Sequence, residues 1–138
     1  MKKRLTIQAV RDNLAQVQSF ILAQLKDISV PPDIEIKINM SVEEIFVNIA
    51  QYAYPPKAGE AVIETDVTDN PPSITITFRD KGIPYDPLSR PDPDITLSVS
   101  ERPLGGLGVF LVKKMMDEAS YKYEDGQNVL TVKKYLNT

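Results

Sequence analysis

Residues 33–54 read DIEIKINMSVEEIFVNIAQYAY, and the fold depends on whether they form a strand or a helix. Ile34, Ile36 and Ile38 alternate with polar neighbours, as on a half-buried strand. Over the longer span Ile34, Ile38, Val42, Ile45, Ile49 and Tyr52 recur at spacings of four and three, which is one face of a helix. Strands average only about 5–6 residues, so a pattern sustained over this length is assigned to a helix. Pro31-Pro32-Asp33 opens the segment. Tyr54-Pro55-Pro56 closes it, because the residue before a proline resists αR geometry.

Working outward from this helix, Val10, Leu14, Val17, Ile21 and Leu25 form a second apolar stripe, predicting a helix over residues 9–27. Before it, Leu5 and Ile7 alternate with polar residues and predict an edge strand. After the long helix, Ala61, Ile63, Thr65 and Val67 alternate with Val62, Glu64 and Asp66. Asp69-Asn70-Pro71-Pro72 reads as a turn, and Ile74, Ile76 and Phe78 then alternate with Thr75, Thr77 and Arg79. Residues 84–104, punctuated by Pro84, Pro87, Pro91, Pro93 and Pro103, read as a long irregular loop. Loops of this length are functional or disordered when they occur in compact domains. Val109, Val112 and Met116 predict a third helix to residue 118. Strands over 119–124 and 128–135 flank Asp125-Gly126, a strong hairpin signal. The order β-α-α-β-β-loop-α-β-β predicts an α/β two-layer sandwich, in which a mixed, mostly antiparallel sheet carries three helices on one face. At 138 residues, without repeats or low-complexity linkers, the chain is expected to form a single domain over residues 1–138.

The composition excludes several chemistries. There is no cysteine and no histidine. Disulfides, thiolate nucleophiles, Cys/His zinc sites, an imidazole base for a serine nucleophile and phosphorylation of a histidine within this chain are all ruled out. Carboxylate, amide, hydroxyl, cationic and backbone groups remain, a set that suits phosphate and magnesium. The net charge of −3, with both signs interspersed, gives no basic face for nucleic acid. No apolar run reaches the roughly 20 residues of a membrane span. The basic start Met1-Lys2-Lys3-Arg4 is not followed by an apolar stretch, so no signal peptide and a cytoplasmic location are expected.

Four features can carry chemistry. Glu44 and Asn48 in EEIFVN (43–48) are four apart and share a helix face. The Asn48 amide oxygen is a hard ligand suited to Mg²⁺, and Glu44 can accept a proton from a hydroxyl or water. Asp80, in DKGIPYDP (80–87), ends a strand where its carboxylate can accept a hydrogen bond from an exocyclic amine such as adenine N6. Gly82 lets a flat ring approach the backbone. Gly105, Gly106 and Gly108 open a helix and expose N–H groups to a polyphosphate. In the long loop, Arg90 and Arg102 are candidates to close over a terminal phosphate. Taken singly, each feature also fits a solvated helix face, a strand-ending turn, a hinge or a pair of solvated charges.

Together and in this order, EEIFVN (43–48), DKGIPYDP (80–87) and GGLGVFLV (105–112) resemble the GHKL (histidine-kinase-like) ATPase superfamily over residues 5–135. The DKGIPYDP form and the MMDE at 115–118 resemble in particular its bacterial anti-sigma-factor serine/threonine kinase branch. The resemblance implies a Bergerat-type ATP-binding fold. It implies ATP and Mg²⁺ as cofactors, with Asn48 at the metal and phosphates and Glu44 activating the acceptor hydroxyl. Asp80 is assigned to the adenine amine, Gly82 and Ile83 to the adenine pocket, and Gly105, Gly106 and Gly108 to the phosphates. Asn128 falls where relatives place a hydroxyl residue beside the adenine. The implied partners are a STAS-type anti-sigma antagonist, a sigma factor and a second copy of the chain, with no direct contact to nucleic acid or membrane. Relatives often carry histidine four residues after the asparagine, where this chain has Tyr52. The expected activity is ATP-dependent phosphorylation of the antagonist on serine or threonine by an anti-sigma regulatory factor. The alternative is an ATP-binding module that regulates by protein binding without catalysis. An ATP-hydrolysing subunit of a larger assembly, or a histidine kinase core whose acceptor lies on another protein, are further readings.

Overall fold

A computed structural model of the chain describes residues 2–53, 59–89 and 106–137. Its elements run β1 (Lys2–Gln8), a 3₁₀ turn (Arg11–Asn13), α1 (Leu14–Ala23), α2 (Pro32–Tyr52), β2 (Glu60–Asp69), β3 (Pro72–Asp80), a second 3₁₀ turn (Pro87–Ser89), α3 (Gly106–Met115), β4 (Glu118–Glu124) and β5 (Gln127–Tyr135). The sheet order is β1-β2-β3-β5-β4, and all four pairings are antiparallel. The expected sheet is therefore antiparallel throughout its described strands, with β1 at one edge as predicted.

The 33–54 segment is a helix. Pro32 occupies its first turn, where a missing N–H costs nothing, and Asp33 and Glu35 sit at the positive end of the helix dipole. Ile34, Ile38, Val42, Ile45 and Ile49 are buried as the spacing requires, and so is Phe46, which is fully enclosed. The buried stripe is wider than the periodicity implies because α2 packs against both α1 and α3 as well as the sheet. The Tyr52 side chain lies outside the described residues.

α1 is shorter than the stripe from 9 to 27. Gln24, Leu25 and Ile28 donate to the carbonyls of Ile21, Leu22 and Leu25, each at 3.0 Å, so the helix tightens into i→i−3 turns. Leu25 remains buried there, because one turn of either helix type keeps an apolar residue on the same side. α3 stops at Met115 rather than 118. The Asp117 N–H donates to the Lys133 carbonyl at 2.9 Å, so the chain has already turned toward β5.

The pleat sorts the sheet into two faces. Ala61, Ile63, Ile74, Ile76, Phe78 and Val132 face the helices and form the core with α1, α2 and α3. Arg79 and Glu64 lie on the other face, joined at 2.5 Å, with Arg4 adding a second contact to Glu64 at 3.4 Å. The hairpin residues Asp125 and Gly126 both have positive φ, 53° and 75°, as a tight two-residue connection between right-twisted strands requires. Among the described residues, no helix is long and apolar enough to cross a membrane.

Candidate functional site

The register places Asp80, the last residue of β3, opposite Asn128, the second of β5. Both are buried polar side chains at the same end of the sheet. Asp80 Oδ1 accepts two hydrogen bonds at 2.9 Å, one from Asn128 Nδ2 and one from the Gly82 N–H. Asp80 Oδ2 has no hydrogen-bond partner among the described residues. Asn128 Nδ2 also donates to the Ile83 carbonyl at 2.9 Å. Asn128 Oδ1 accepts from the Tyr85 N–H at 3.0 Å and from the Tyr121 hydroxyl. Burial pushes the Tyr121 phenol above its ordinary pKa of 10.0, and the Asp86 and Asp80 carboxylates add to the rise, against a hydrogen bond to the Tyr85 backbone that lowers it. Tyr121 therefore stays protonated and able to donate at neutral pH.

The turn after β3 is tied to the C-terminal end of α2. The Ile83 N–H donates to the Ala53 carbonyl at 3.0 Å. A methyl group added to Gly82 would stand 2.2 Å from the Ala53 oxygen and 2.6 Å from its carbonyl carbon and Cβ. Glycine at position 82 is thus required by the approach of the helix backbone.

Between α2 and this turn lies a cleft open to solvent, with walls drawn from α2, the sheet, α3 and the segment after β3. α2 contributes Glu44, Ile45, Asn48, Ile49 and Ala53 to its wall. Phe78 and Asp80 come from β3, and Ile83, Tyr85, Pro87 and Leu88 from the segment that follows. Val112 of α3, Tyr121 of β4 and Asn128 and Leu130 of β5 complete it. The lining is mostly apolar, as a flat base requires, with polar groups at few points.

Glu44 and Asn48 share a helix face and both reach this cleft, together with Asp80, Ile83 and Asn128. Gly82 is not in the wall; it supports the wall from behind. Gly106 and Gly108 are in the first turn of α3, and Gly108 lies one turn before Val112, which lines the cleft. Gly105, Arg90 and Arg102 lie outside the described residues. Tyr85 falls inside DKGIPYDP without a role of its own, and Tyr121 lies outside all three motifs. The turn after β3 brings the Tyr85 N–H, and the pairing of β4 with β5 the Tyr121 hydroxyl, to Asn128 Oδ1.

Glu44 and Ala53 are nine steps apart along α2, a rise of roughly 13.5 Å at 1.5 Å per residue, so the α2 wall of the cleft is elongated. Among the described residues no group of three acidic side chains forms a metal site. One amide oxygen at Asn48 suits Mg²⁺ instead, because that ion keeps most of its shell as water and substrate phosphate. No described residue of the cleft wall is a lysine or arginine.

Residues 7–134 match the family described as the histidine kinase-like ATPase domain. The chain is 31% identical to the serine-protein kinase RsbW of Bacillus cereus strain AH820, over 73% of this chain and 64% of that protein. The same figures hold for serine-protein kinase RsbW of Bacillus anthracis and of Bacillus thuringiensis strain Al Hakam. The match thus spans 64% of the length of these relatives. Among solved structures, the crystal structure of the RsbU and RsbW domains of Rv1364c from Mycobacterium tuberculosis aligns with 99% of this chain and 32% of that one. The TM-score is 0.69 at 14% identity, a likeness of fold.

Proposed function

This chain belongs to the histidine kinase-like ATPase domain family, and on that premise we propose that it binds ATP with Mg²⁺ in the cleft and phosphorylates a partner protein on serine or threonine. In this reading it is an anti-sigma regulatory factor of the cytoplasm. Its substrate is a STAS-type anti-sigma antagonist, and it also sequesters a sigma factor. The carrying observation is the convergence of Glu44, Asn48 and Asp80 on one apolar cleft.

The adenine lies between the apolar side chains, with its amine donating to Asp80 Oδ2. Asn48 would hold Mg²⁺, which would supply charge to offset that of the phosphates, and the first turn of α3 would offer N–H groups to them. Arg90 and Arg102 remain the candidates for the terminal phosphate, a role consistent with the lack of a lysine or arginine among the described residues of the wall. Glu44 takes the proton of the acceptor hydroxyl as that oxygen bonds to the γ-phosphorus and the bond to the ADP oxygen breaks. Such transfer depends chiefly on positioning and charge neutralisation. A carboxylate beside Asn48 distinguishes this reading from a module that only binds, which needs no base there.

The test is to incubate the protein with Mg-ATP and a STAS-type antagonist from the same genome and to locate phosphoserine or phosphothreonine by mass spectrometry. Glu44→Gln is expected to lower transfer by about 10²–10⁴-fold while ATP still binds. Undiminished transfer would remove Glu44 from the base role, and a protein indifferent to adenine nucleotides would overturn the whole assignment.

A further inference from the structure

The Asn128 carboxamide is fully occupied by the protein. A neutral amide offers two acceptor positions and two donors. Here Oδ1 takes the Tyr85 N–H and the Tyr121 hydroxyl, and Nδ2 gives to Asp80 Oδ1 and the Ile83 carbonyl. Nothing is left over for a ligand. If the amide were turned over, its oxygen would face a carboxylate and a carbonyl, acceptor against acceptor, so it has one orientation.

We propose that Tyr121 and Asn128 are positioning residues that set base selectivity: their relay holds Asp80 Oδ1 so that Oδ2 is a fixed acceptor, and the site takes a 6-aminopurine nucleotide and rejects a 6-oxopurine one. This inference rests on the ATP reading above and adds to it a role for two side chains of the wall whose polar groups bond to the protein. A carboxylate fixed opposite position 6 meets a donor in adenine and an acceptor in hypoxanthine. A carboxylate free to swing reaches the N1–H of the 6-oxopurine and accepts from it instead. Tyr121 decides between the two. Without its hydroxyl, Asn128 Oδ1 keeps only the Tyr85 N–H, the carboxamide is held less firmly, and its bond to Asp80 at 2.9 Å loosens. Burial of the phenol and the neighbouring carboxylates keep Tyr121 in its donating form.

The experiment compares ATP with inosine triphosphate by titration calorimetry in Mg²⁺, using the full chain. Wild type is expected to favour ATP by about 10–100-fold, the worth of a buried acceptor left unpaired. Tyr121→Phe should lower that ratio by about fivefold, one hydrogen bond's worth, chiefly by tightening the inosine nucleotide. Equal weakening of both nucleotides would mean that Tyr121 is only structural, and an unchanged ratio would likewise overturn the relay. Should Tyr121→Phe fail to fold, Asn128→Thr and Asn128→Val answer the same question, since they differ by one hydroxyl and both suit a strand. Thr keeps a donor for Asp80 and an acceptor for Tyr121 and should hold the higher selectivity; equal ratios in the pair would refute the proposal. A wild-type protein that binds neither nucleotide defeats the ATP reading itself, whereas one that binds ATP with a relay-independent ratio defeats only this inference.

Discussion

Replacing Gly82 with alanine separates two explanations for that glycine. If it is there to let a base approach, Gly82→Ala weakens nucleotide binding and leaves the empty protein as stable as before. The contacts argue otherwise. The new methyl would meet the Ala53 oxygen at 2.2 Å and its carbonyl carbon at 2.6 Å, and backbone cannot rotate away as a flexible side chain can. The turn must therefore withdraw from α2. Overpacking of this kind costs about 1–3 kcal/mol. Withdrawal also strains the hydrogen bond from the Ile83 N–H to the Ala53 carbonyl, a further loss of about 1 kcal/mol. A total of about 3 kcal/mol corresponds to a fall of roughly 10 °C in Tm for a chain of this size. Thermal unfolding by circular dichroism without nucleotide measures it directly. ATP affinity should fall in parallel, because the same turn carries the N–H that holds Asp80. A variant whose Tm without nucleotide stays within about 2 °C of wild type would refute the reasoning, since a 2.2 Å contact cannot be absorbed so cheaply.

Two further outcomes follow from buried hydroxyls. The Thr65 hydroxyl is buried without a hydrogen-bond partner among the described residues, so the isosteric Thr65→Val should raise stability by about 1 kcal/mol, read as a higher urea midpoint. The raised pKa of Tyr121 predicts a loss of stability in alkali. Below pH 10.0 the phenol is protonated in both folded and unfolded chains and its contribution is complete. As pH rises the unfolded chain releases the proton first, and the contribution is lost as pH climbs through the folded value. Urea midpoints measured from pH 8 upward should fall less steeply in Tyr121→Phe than in wild type, and identical slopes would show that this phenol is not the group responsible.

Much of this molecule was legible in its residue pattern because the signals are local. The 33–54 helix follows from spacing sustained over several turns and from prolines at both ends. The hairpin follows from Asp125-Gly126, whose positive φ values are the ones those residue types tolerate best. Glu44 and Asn48 share a face because any helix puts residues four apart together. The errors fall where local signals are degenerate. Turns closed by i→i−3 bonds bury Leu25 as well as an α-helix would, so the apolar stripe runs on past Ala23, where α1 ends. Gly82 reads equally well as a turn residue or as an opening for a ring, and only the position of Ala53 selects a third role, clearance for a helix end.

The order of the elements, the single apolar face of each and the residue types available for chemistry belong to the chain itself, because periodicity and composition need no distant partner. Tertiary structure alone decided that Asp80 meets Asn128 across 48 positions of sequence, that Tyr121 reaches the same amide, and that α2 supplies the opposite wall of the cleft. Those contacts depend on strand register and helix docking, which are set by how the whole core closes around Phe46 and Phe78 and leave no mark on the residues nearby.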